Sequence, residues 1–193
     1  NETTHYSVMD GAGNVVSNTY TLNFSFGTGI VVPGTGILLN NEMDDFSAKP
    51  GVPNAFGLVG GEANAIQGGK RPLSSMTPTI VFKDGQPLLA TGSPGGSRII
   101  TMVMQILLNV IDHNLNIAEA TAAPRIHHQW RPDKLWVEQG VGPDTLAILR
   151  RRGHVVTPSR AAGSVQSVMR VAKGGGFLGA SDPRSPGALS AGY

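Results

Sequence analysis

The chain contains no cysteine, and this absence excludes disulfides, thiolate metal sites and a cysteine nucleophile. Charge is also scarce, because only 15% of the residues are charged and the net charge is +2. The basic residues are scattered rather than clustered, which argues against a nucleic-acid-binding surface. We recognise neither a signal peptide nor an apolar run long enough to span a membrane. We therefore expect no membrane partner, and any export signal would lie on another segment of a precursor.

Hydrophobic residues are plentiful, at 40% of a chain of 193 residues. A chain of this length and composition can bury a real core, so residues 1–193 are expected to form a single domain or a large part of one. The sequence also contains 26 glycines and 13 prolines, many of them in clusters. Such clusters are typical of turns and let the backbone approach a ligand closely.

The sequence pattern predicts mixed α and β structure. Strands are predicted at residues 5–10, 15–23, 79–83, 87–91 and 165–171. The Asp84-Gly85 pair between two of them is a strong hairpin signal. Helices are predicted at residues 98–114, 117–122 and 143–152, from helical spacing and from residues typical of helix ends, such as Asn116 as the cap of the second helix. Strand pairs followed by helices and further strands indicate layered antiparallel sheets with helices outside.

The stretch from Ile30 to Arg71 has little regular pattern. A loop that long inside a compact domain is usually functional or mobile, although a plain surface excursion explains the pattern equally well. It contains the acidic cluster Glu42, Asp44 and Asp45. These carboxylates could hold a substrate ammonium in a cleft, or they could belong to a solvated loop.

Two short segments could bind anions. Ser93-Pro94-Gly95-Gly96-Ser97 precedes the first predicted helix, so its backbone N–H groups could face a phosphate or an oxyanion formed during acyl transfer. The segment lacks the lysine and the spacing of a nucleotide P-loop, and a plain strand-to-helix turn is the alternative. The paired hydroxyls of Ser74 and Ser75 could bind a carboxylate, or they could form an ordinary serine turn.

Thr3 lies close to the start of the chain. A threonine hydroxyl is a poor nucleophile without a base beside it. One solution uses the threonine's own α-amino group, which requires threonine to be the first residue. The reference pKa of a free α-amino group is about 8, so this group can accept a proton near neutral pH. A frayed chain end or the start of a strand is the alternative interpretation.

The pair His127 and His128 invites a metal-site interpretation. Adjacent histidines seldom share one ion, and no third ligand is spaced to join them. We therefore interpret both histidines as structural and predict no metal site.

These segments occur in an order that resembles one known family. The motifs are Thr3-Thr4-His5-Tyr6-Ser7, Tyr20-Thr21-Leu22-Asn23, Leu38-Leu39-Asn40-Asn41, Met43-Asp44-Asp45-Phe46-Ser47, Arg71-Pro72-Leu73-Ser74-Ser75-Met76 and Gly92-Ser93-Pro94-Gly95-Gly96-Ser97-Arg98. Together they closely resemble the small, catalytic subunit of bacterial γ-glutamyltransferase (γ-glutamyltranspeptidase). The resemblance covers nearly the whole chain, from Thr3 to the Ala191-Gly192-Tyr193 end.

The resemblance implies an α+β fold, the four-layer αββα sandwich of N-terminal nucleophile hydrolases, completed by a large subunit. Members are made as a precursor that cleaves itself on the amino side of the nucleophilic threonine, and the two subunits stay associated. A mature small subunit would then begin at Thr3. The resemblance also implies a periplasmic or secreted enzyme that uses no cofactor.

Carried onto this chain, the resemblance assigns the chemistry to a few residues. Thr3 would be the nucleophile and its freed amine the base. Thr21 would hydrogen-bond the Thr3 hydroxyl and help to activate it. Gly95 and Gly96 would supply the N–H groups that stabilise the oxyanion.

The same resemblance assigns the substrate-binding residues. Asn23, Glu42 and Asp45 would hold the α-amino group of the γ-glutamyl moiety. Ser74 and Ser75 would bind its α-carboxylate, together with an arginine of the large subunit.

Three features depart from the family's pattern. Many bacterial members have Gln in place of Glu42, and the added negative charge should still accept an ammonium. Phe56, in what resembles the family's lid loop, stands where many members have Tyr, so a hydrogen bond made by the phenol is lost. Asn1 and Glu2 precede Thr3 and would block its amine, so we predict that the Glu2–Thr3 bond is the processing site.

We therefore expect an enzyme that cleaves γ-glutamyl amides such as glutathione through a γ-glutamyl ester on Thr3. The acyl group would pass to water or to an amino acid or peptide acceptor. One alternative is a related amidase with another acyl preference. Another is an unprocessed, non-catalytic form that only binds γ-glutamyl compounds. Phosphate binding at residues 92–97 is not favoured once the motifs are considered together.

Overall fold

The fold is described by a computed structural model that covers residues 3–171 and 175–192. The strands are β1 (Thr4–Met9), β2 (Val15–Tyr20), β3 (Thr79–Lys83), β4 (Gln86–Gly92), β5 (Ile126–His127), β6 (Leu135–Glu138), β7 (Val156–Ser159), β8 (Gln166–Arg170) and β9 (Phe177–Ser181). The helices are α1 (Ile99–Ile111), α2 (Ile117–Ala122) and α3 (Pro143–Arg151). In these ranges, no helix is both long enough and apolar enough to cross a membrane.

Strands β1 and β2 form a hairpin with one inward and one outward face. In their register His5 pairs with Thr19 and Ser7 with Ser17. The buried His5 ring hydrogen-bonds the hydroxyls of Thr19 at 2.7 Å and Ser7 at 3.0 Å. The outward side chains are mostly apolar and exposed; they include Tyr6, Val8, Val16 and Tyr20. Because successive side chains of a strand point to opposite faces, the hairpin presents a largely apolar outer surface.

A four-stranded antiparallel sheet, in the order β3-β4-β8-β9, lies between the hairpin and two helices. On one face of β4, Gly92 lies so close to the His5 ring that a Cβ at this position would overlap it. On the other face, the fully buried Leu89 packs with Ile106 of α1 and Ile117 of α2. The described chain therefore forms three layers. The hairpin is one outer layer, the four-stranded sheet is the middle layer, and helices α1 and α2 are the other outer layer.

The remaining strands form a small sheet in the order β5-β6-β7. Strands β5 and β6 are antiparallel, whereas β6 and β7 are parallel and are joined through α3. Pro143 begins α3, and Arg150 and Arg151 in its last turn complement the helix dipole. This sheet ends close to α1, so the loop after β5 can reach the start of that helix.

Two local signals predicted from the sequence are confirmed. Asn116 caps α2: its side chain accepts the Glu119 N–H at 2.9 Å, and the Glu119 carboxylate accepts the Asn116 N–H in return. Asp84 and Gly85 turn the β3–β4 hairpin with positive φ angles of 52° and 76°, as a tight hairpin turn requires.

Other expectations need correction. The predicted second strand is too long, because β2 ends at Tyr20 and Asn23 has a left-handed backbone with φ of 73°. The first helix ends at Ile111 rather than Asn114, which is also left-handed, with φ of 56°. Strands β5, β6, β7 and β9 are not predicted, and the parallel β6–β7 pair contradicts a purely antiparallel arrangement. The α+β class itself is confirmed.

Candidate active site

The side chains of Thr3 and Thr21 meet at the open end of the hairpin. Thr3 precedes β1 and Thr21 follows β2, so the register that pairs Thr4 with Tyr20 brings them together. The Thr3 hydroxyl donates to the Thr21 hydroxyl at 3.0 Å. The Thr21 oxygen also accepts the Asn23 N–H at 2.8 Å. The Thr3 hydroxyl is therefore oriented by the hairpin itself.

Asn23 is buried beside this pair and turns the chain away from β2. Asparagine tolerates its left-handed backbone better than most residues do. Its amide donates to the Asn41 carbonyl at 3.2 Å, and the Asn41 side-chain oxygen accepts the Phe24 N–H at 2.9 Å. These bonds bring residue 41, and the acidic turn that follows it, next to the open end of the hairpin.

The acidic turn is a single 3-10 turn over Glu42–Asp45. Asn40 fixes its start, because its side-chain oxygen accepts the Glu42 N–H at 3.0 Å. Burial, together with a hydrogen bond and charge repulsion from Asp45, raises the pKa of Glu42 to about 7. Burial also raises the pKa of Asp45 above its usual range. Near neutral pH Glu42 is therefore partly protonated.

Asn64 connects the acidic turn to the loop that carries Ser74 and Ser75. Its amide donates to the Asp45 carbonyl at 2.7 Å, and its oxygen accepts the Leu73 N–H at 3.0 Å. Both serines line the same pocket as Asp45. The pocket thus combines carboxylates with hydroxyls, which suits a ligand that bears both an ammonium and a carboxylate.

The Gly95-Gly96 turn lies between β4 and α1. Gly95 has a φ of 148° and Gly96 a φ of 58°, values that residues with a side chain rarely adopt. Within residues 3–171 and 175–192, neither N–H donates to a protein acceptor. Gly96 lines the pocket that contains Thr3, and Gly95 lines an adjoining groove that also reaches Thr3. Two backbone donors therefore border the cavities around the Thr3 hydroxyl.

Phe56 covers the Gly96 turn from the irregular loop. A Cβ at Gly96 would lie 3.1 Å from the Phe56 ring, and the ring centroids of Phe56 and Phe24 are 5.9 Å apart. The Phe56 carbonyl accepts the Gln129 amide at 3.3 Å. The Gln129 oxygen in turn accepts the Ser97 hydroxyl at 2.9 Å. Gln129, on the loop after β5, thus connects the Phe56 segment to the glycine turn.

One pocket gathers these segments, which are far apart in the sequence. Its lining residues are Thr3, Thr21, Asn23, Glu42, Asp45, Phe56, Ser74, Ser75, Met76, Gly96 and Ile99. Every site residue that the resemblance assigns lines it except Gly95, which lies in the adjoining groove. Asp44, the third member of the acidic cluster, lines neither. Met76 and Ile99 are not predicted, because an apolar residue after a serine pair or at a helix start carries no chemical signal.

The histidine pair lies outside this pocket. His127 is buried, and its ring nitrogens face the Thr101 hydroxyl at 2.8 Å and the Gln129 oxygen at 2.9 Å. Burial lowers the pKa of His127, so its ring is neutral near pH 7. His128 contacts Asp133 at 3.0 Å near the surface. Within the described ranges, no group of three or more His, Cys, Asp or Glu residues is placed to hold a metal ion.

Comparison with known proteins identifies the family. A gamma-glutamyltranspeptidase family model matches residues 1–192. The chain belongs to the gamma-glutamyltranspeptidase family. A mutant of Helicobacter pylori gamma-glutamyltranspeptidase has the same fold, with a TM-score of 0.90 and 54% identity over 94% of this chain and 100% of that chain. The N-terminal nucleophile hydrolase fold expected from the resemblance is thereby confirmed.

Relatives of this gamma-glutamyltranspeptidase-family chain are longer than the chain itself. The glutathione hydrolase proenzyme of Escherichia coli is 64% identical over 193 residues, which are 100% of this chain and 33% of that protein. The proenzyme of a Pseudomonas species is 48% identical over 99% of this chain and 35% of its own length. The chain therefore spans about a third of these relatives. A cephalosporin acylase from Bacillus halodurans is also similar in fold, with a TM-score of 0.79 and 32% identity over 93% of this chain and 32% of that chain.

Proposed function

We propose that this chain is the catalytic part of an enzyme that transfers γ-glutamyl groups or hydrolyses γ-glutamyl amides such as glutathione. The pocket carries the proposal: an oriented Thr3 hydroxyl, the Gly96 backbone, acidic side chains and paired hydroxyls surround one small space, and Gly95 borders the groove beside it. The names of the relatives at 64% and 48% identity, both glutathione hydrolase proenzymes, support the same activity.

In the proposed reaction Thr3 is the nucleophile, and its α-amine is the base once the Glu2–Thr3 bond is cut. Asn1 and Glu2 lie outside the described residues, so the cut is inferred from this chemistry and from the family resemblance. The Thr3 oxygen bonds to the γ-carbonyl carbon, the carbonyl electron pair moves onto its oxygen, and the hydroxyl proton passes to the α-amine. Collapse of this adduct breaks the C–N bond and gives the proton to the leaving amine.

The γ-glutamyl ester on Thr3 then reacts with water or with an amino acid or peptide amine. The hydroxyl of Thr21 orients Thr3 for both steps. The N–H groups of Gly95 and Gly96 stabilise each oxyanion, because charge develops on that oxygen only in the adduct. Phe56 forms part of a lid that shields the ester.

Charge and hydrogen bonds hold the amino-acid end of the substrate. Asn23, Glu42 and Asp45 bind its α-ammonium, and an ammonium beside the two carboxyl groups favours their ionised forms. Ser74 and Ser75 bind its α-carboxylate, together with an arginine supplied by a large subunit.

The partner in this proposal is a large subunit cut from the same precursor, with residues from Thr3 onward as the small subunit. The outer hairpin face supports it, because Tyr6, Val8, Val16 and Tyr20 are exposed there, and contiguous apolar surface marks an interface. The described chain supplies two sheet layers and one helix layer, so the second helix layer of an αββα sandwich would cover this face. We extend the proposal to a periplasmic or secreted location, on the family resemblance alone.

Mass spectrometry and one substitution test the proposal. The active enzyme should contain a small subunit that begins at Thr3. Thr3→Ala should leave the precursor uncut and lower the turnover of a γ-glutamyl-anilide by about 10⁴-fold or more. Thr35→Ala is the control, because Thr35 is exposed and lines neither the pocket nor the adjoining groove. An active enzyme that keeps Asn1 and Glu2, or a Thr3→Ala enzyme with substantial turnover, would overturn the mechanism.

The likeness to a cephalosporin acylase favours one second candidate, an amidase with another acyl preference. The acidic pair distinguishes the two, since only a γ-glutamyl group presents an α-ammonium to Glu42 and Asp45. Turnover of γ-glutamyl-anilide and of glutaryl-anilide, which lacks the amino group, should be compared. A preference for the glutaryl compound would select the amidase.

A further inference from the structure

Ser93 directly follows β4 and is completely buried. Its hydroxyl donates to the carbonyl of Pro94, the next residue, at 2.7 Å. It also accepts the Ser164 N–H at 3.1 Å. A serine hydroxyl has one proton to donate, so this proton is fully committed and the hydroxyl holds both groups in place.

The bond to Pro94 determines the orientation of the next peptide unit. The Pro94–Gly95 peptide is trans, so its C=O and its N–H point in opposite directions. Ser93 draws the Pro94 oxygen toward the buried side, and the Gly95 N–H must therefore point away from it. Gly95 borders the groove that reaches Thr3.

Residues 162–165, the loop whose Ser164 N–H is bonded to Ser93, are themselves anchored in the interior. The Ala162 carbonyl accepts the Arg125 guanidinium at 3.1 Å, and the Val165 N–H donates to the Asp182 carboxylate at 2.9 Å. Arg125 and Asp182 are both buried and form an ion pair at 2.7 Å. Ser93 is thus bonded to a segment that is anchored by the buried Arg125–Asp182 pair.

We propose that Ser93 is a positioning residue: its hydroxyl holds the Pro94–Gly95 peptide so that the Gly95 N–H meets the oxyanion formed when Thr3 attacks an acyl carbon. This inference rests on the proposed function, because it needs Thr3 as the nucleophile. Ser93 is buried behind the turn and acts only through Gly95. Its effect belongs to the transition state, since the charge on the oxygen develops there and not in the bound substrate.

Ser93→Ala in the full processed enzyme tests the inference. The kcat for γ-glutamyl-anilide should fall about tenfold to a hundredfold, while KM changes by less than about twofold. Ser93→Cys retains nearly the same shape but is a weak donor, so its kcat should be intermediate. The affinity for a γ-boronic acid analogue of glutamate, which forms a tetrahedral adduct with a hydroxyl, should fall by about the same factor as kcat/KM.

Thr121→Val is the matched control. Thr121 is as buried as Ser93, and its hydroxyl also donates to a backbone carbonyl, that of Ile117 at 2.7 Å, but within α2. This variant should lose stability while its kcat and boronate affinity stay unchanged. An unchanged kcat in folded Ser93→Ala enzyme, or a loss confined to KM, overturns the inference.

Precursor cleavage gives a second readout, because the Thr3 hydroxyl would form a tetrahedral adduct with the Glu2 carbonyl, as it does with the substrate. Slower cleavage of a Ser93→Ala precursor that is as stable as the Thr121→Val precursor supports the inference. If Ser93→Ala does not fold, a fully active Ser93→Cys enzyme overturns it. Turnover that survives Thr3→Ala would instead overturn the proposed function, so the two failures are distinct.

Discussion

Glu42 and Asp45 bring two carboxyl groups to the wall of the pocket that contains Thr3, and single-residue electrostatics determine what they can do. Burial raises the pKa of both groups, that of Glu42 to about 7. A ligand ammonium would reverse this shift, because an opposite charge favours the ionised form. The pair is therefore suited to recognise charge.

Asp45→Ala should weaken substrates that carry a free α-amino group, because a desolvated ammonium loses its partner. Loss of such a partner typically costs about 2–5 kcal/mol. The measurement compares kcat/KM for γ-glutamyl-anilide and glutaryl-anilide in both enzymes. Asp44→Ala is the control, since Asp44 belongs to the same turn but does not line the pocket. If Asp45→Ala slows both substrates equally, the ammonium role is wrong.

Glu42→Gln should remove most of the pH dependence of KM in the neutral range. The pKa of Glu42 is about 7, so falling pH protonates the carboxyl group that must be ionised to bind an ammonium. From about pH 7.5 to about pH 6, KM for γ-glutamyl-anilide should therefore rise about fivefold to tenfold in the unmodified enzyme. The rise should be under about threefold in the variant, because Gln does not titrate. Identical KM profiles would contradict this assignment.

At the scale of elements, the segment around Phe56 is hydrogen-bonded to the loop that follows β5 of the small β5-β6-β7 sheet. Gln129 follows β5, and its side chain bonds both the Phe56 carbonyl and the Ser97 hydroxyl. The Phe56 ring lies against Gly96. Residues 52–60, the segment around Phe56, correspond to the proposed lid, called the cover below. A closed cover would exclude water from an acyl-enzyme and shape the acceptor site. Movement of the cover and the geometry of the glycine turn are therefore expected to be coupled.

Gln129→Ala should loosen the cover and raise the hydrolysed fraction of the acyl-enzyme by about twofold or more, with a smaller effect on acylation. Both products are measured at fixed donor while an amine acceptor is raised, together with hydrogen exchange at residues 52–60. Gln105→Ala is the matched control, because its amide bridges α1 to the Ile126 carbonyl at 2.8 Å without touching the cover. Phe56→Tyr, which adds a donor, should shift the product split the opposite way. If Gln129→Ala changes neither the ratio of hydrolysis to transfer nor the hydrogen exchange of residues 52–60, Gln129 has only a packing role.

At the scale of the whole molecule, a buried ion network joins distant parts of the chain. Arg125 and Asp182 lie 2.7 Å apart, and Arg184 contacts Glu138 at 2.6 Å and Asp182 at 3.1 Å. Burial opposes ionisation of Asp182, but the Arg125 charge and backbone N–H groups outweigh it and hold the pKa of Asp182 below its usual value. The network connects the end of α2, strand β6 and the segment after β9.

Asp182→Asn should lower the free energy of unfolding of the enzyme by about 3–5 kcal/mol, because it leaves the Arg125 charge buried without its counter-ion. Urea denaturation measures this change. The control is Asp133→Asn, which removes the charge from an exposed contact to His128 and should cost less than about 1 kcal/mol. Since the pKa of Asp182 is lowered by folding, the stability that this group contributes is fully present above the ordinary carboxyl pKa. It is lost as the pH falls through the lowered pKa of the folded state. Equal losses in the two variants would contradict the assignment.

The elements that local chemistry specifies were predictable. The capping box at Asn116, the turn at Asp84-Gly85 and the apolar spacing of α1 are all encoded by near neighbours. Strand β5 has two residues and β6 has four, which is too short for a periodic pattern. Such strands exist because a partner strand satisfies their backbone groups, so pairing rather than propensity creates them.

Most residues that line the pocket were also predictable, but the hydrogen bonds that hold the surrounding segments together were not. Ser93 looks like part of an ordinary turn in the sequence, and Gln129 looks like an isolated polar residue. Their importance comes from hydrogen-bond partners that lie 71 and 73 residues away along the chain. No local pattern marks such a contact.

The sequence by itself determined the family and the α+β class and predicted the residues that line the pocket except Met76 and Ile99, because these depend on residue types that follow one another in a particular order. Only the tertiary structure decided that Gly95 borders a separate groove, that the Glu42 carboxyl group titrates near neutral pH, and that Phe56 is bonded to Gln129. The physical reason is that burial, desolvation and hydrogen-bond partnership arise only when distant segments pack together.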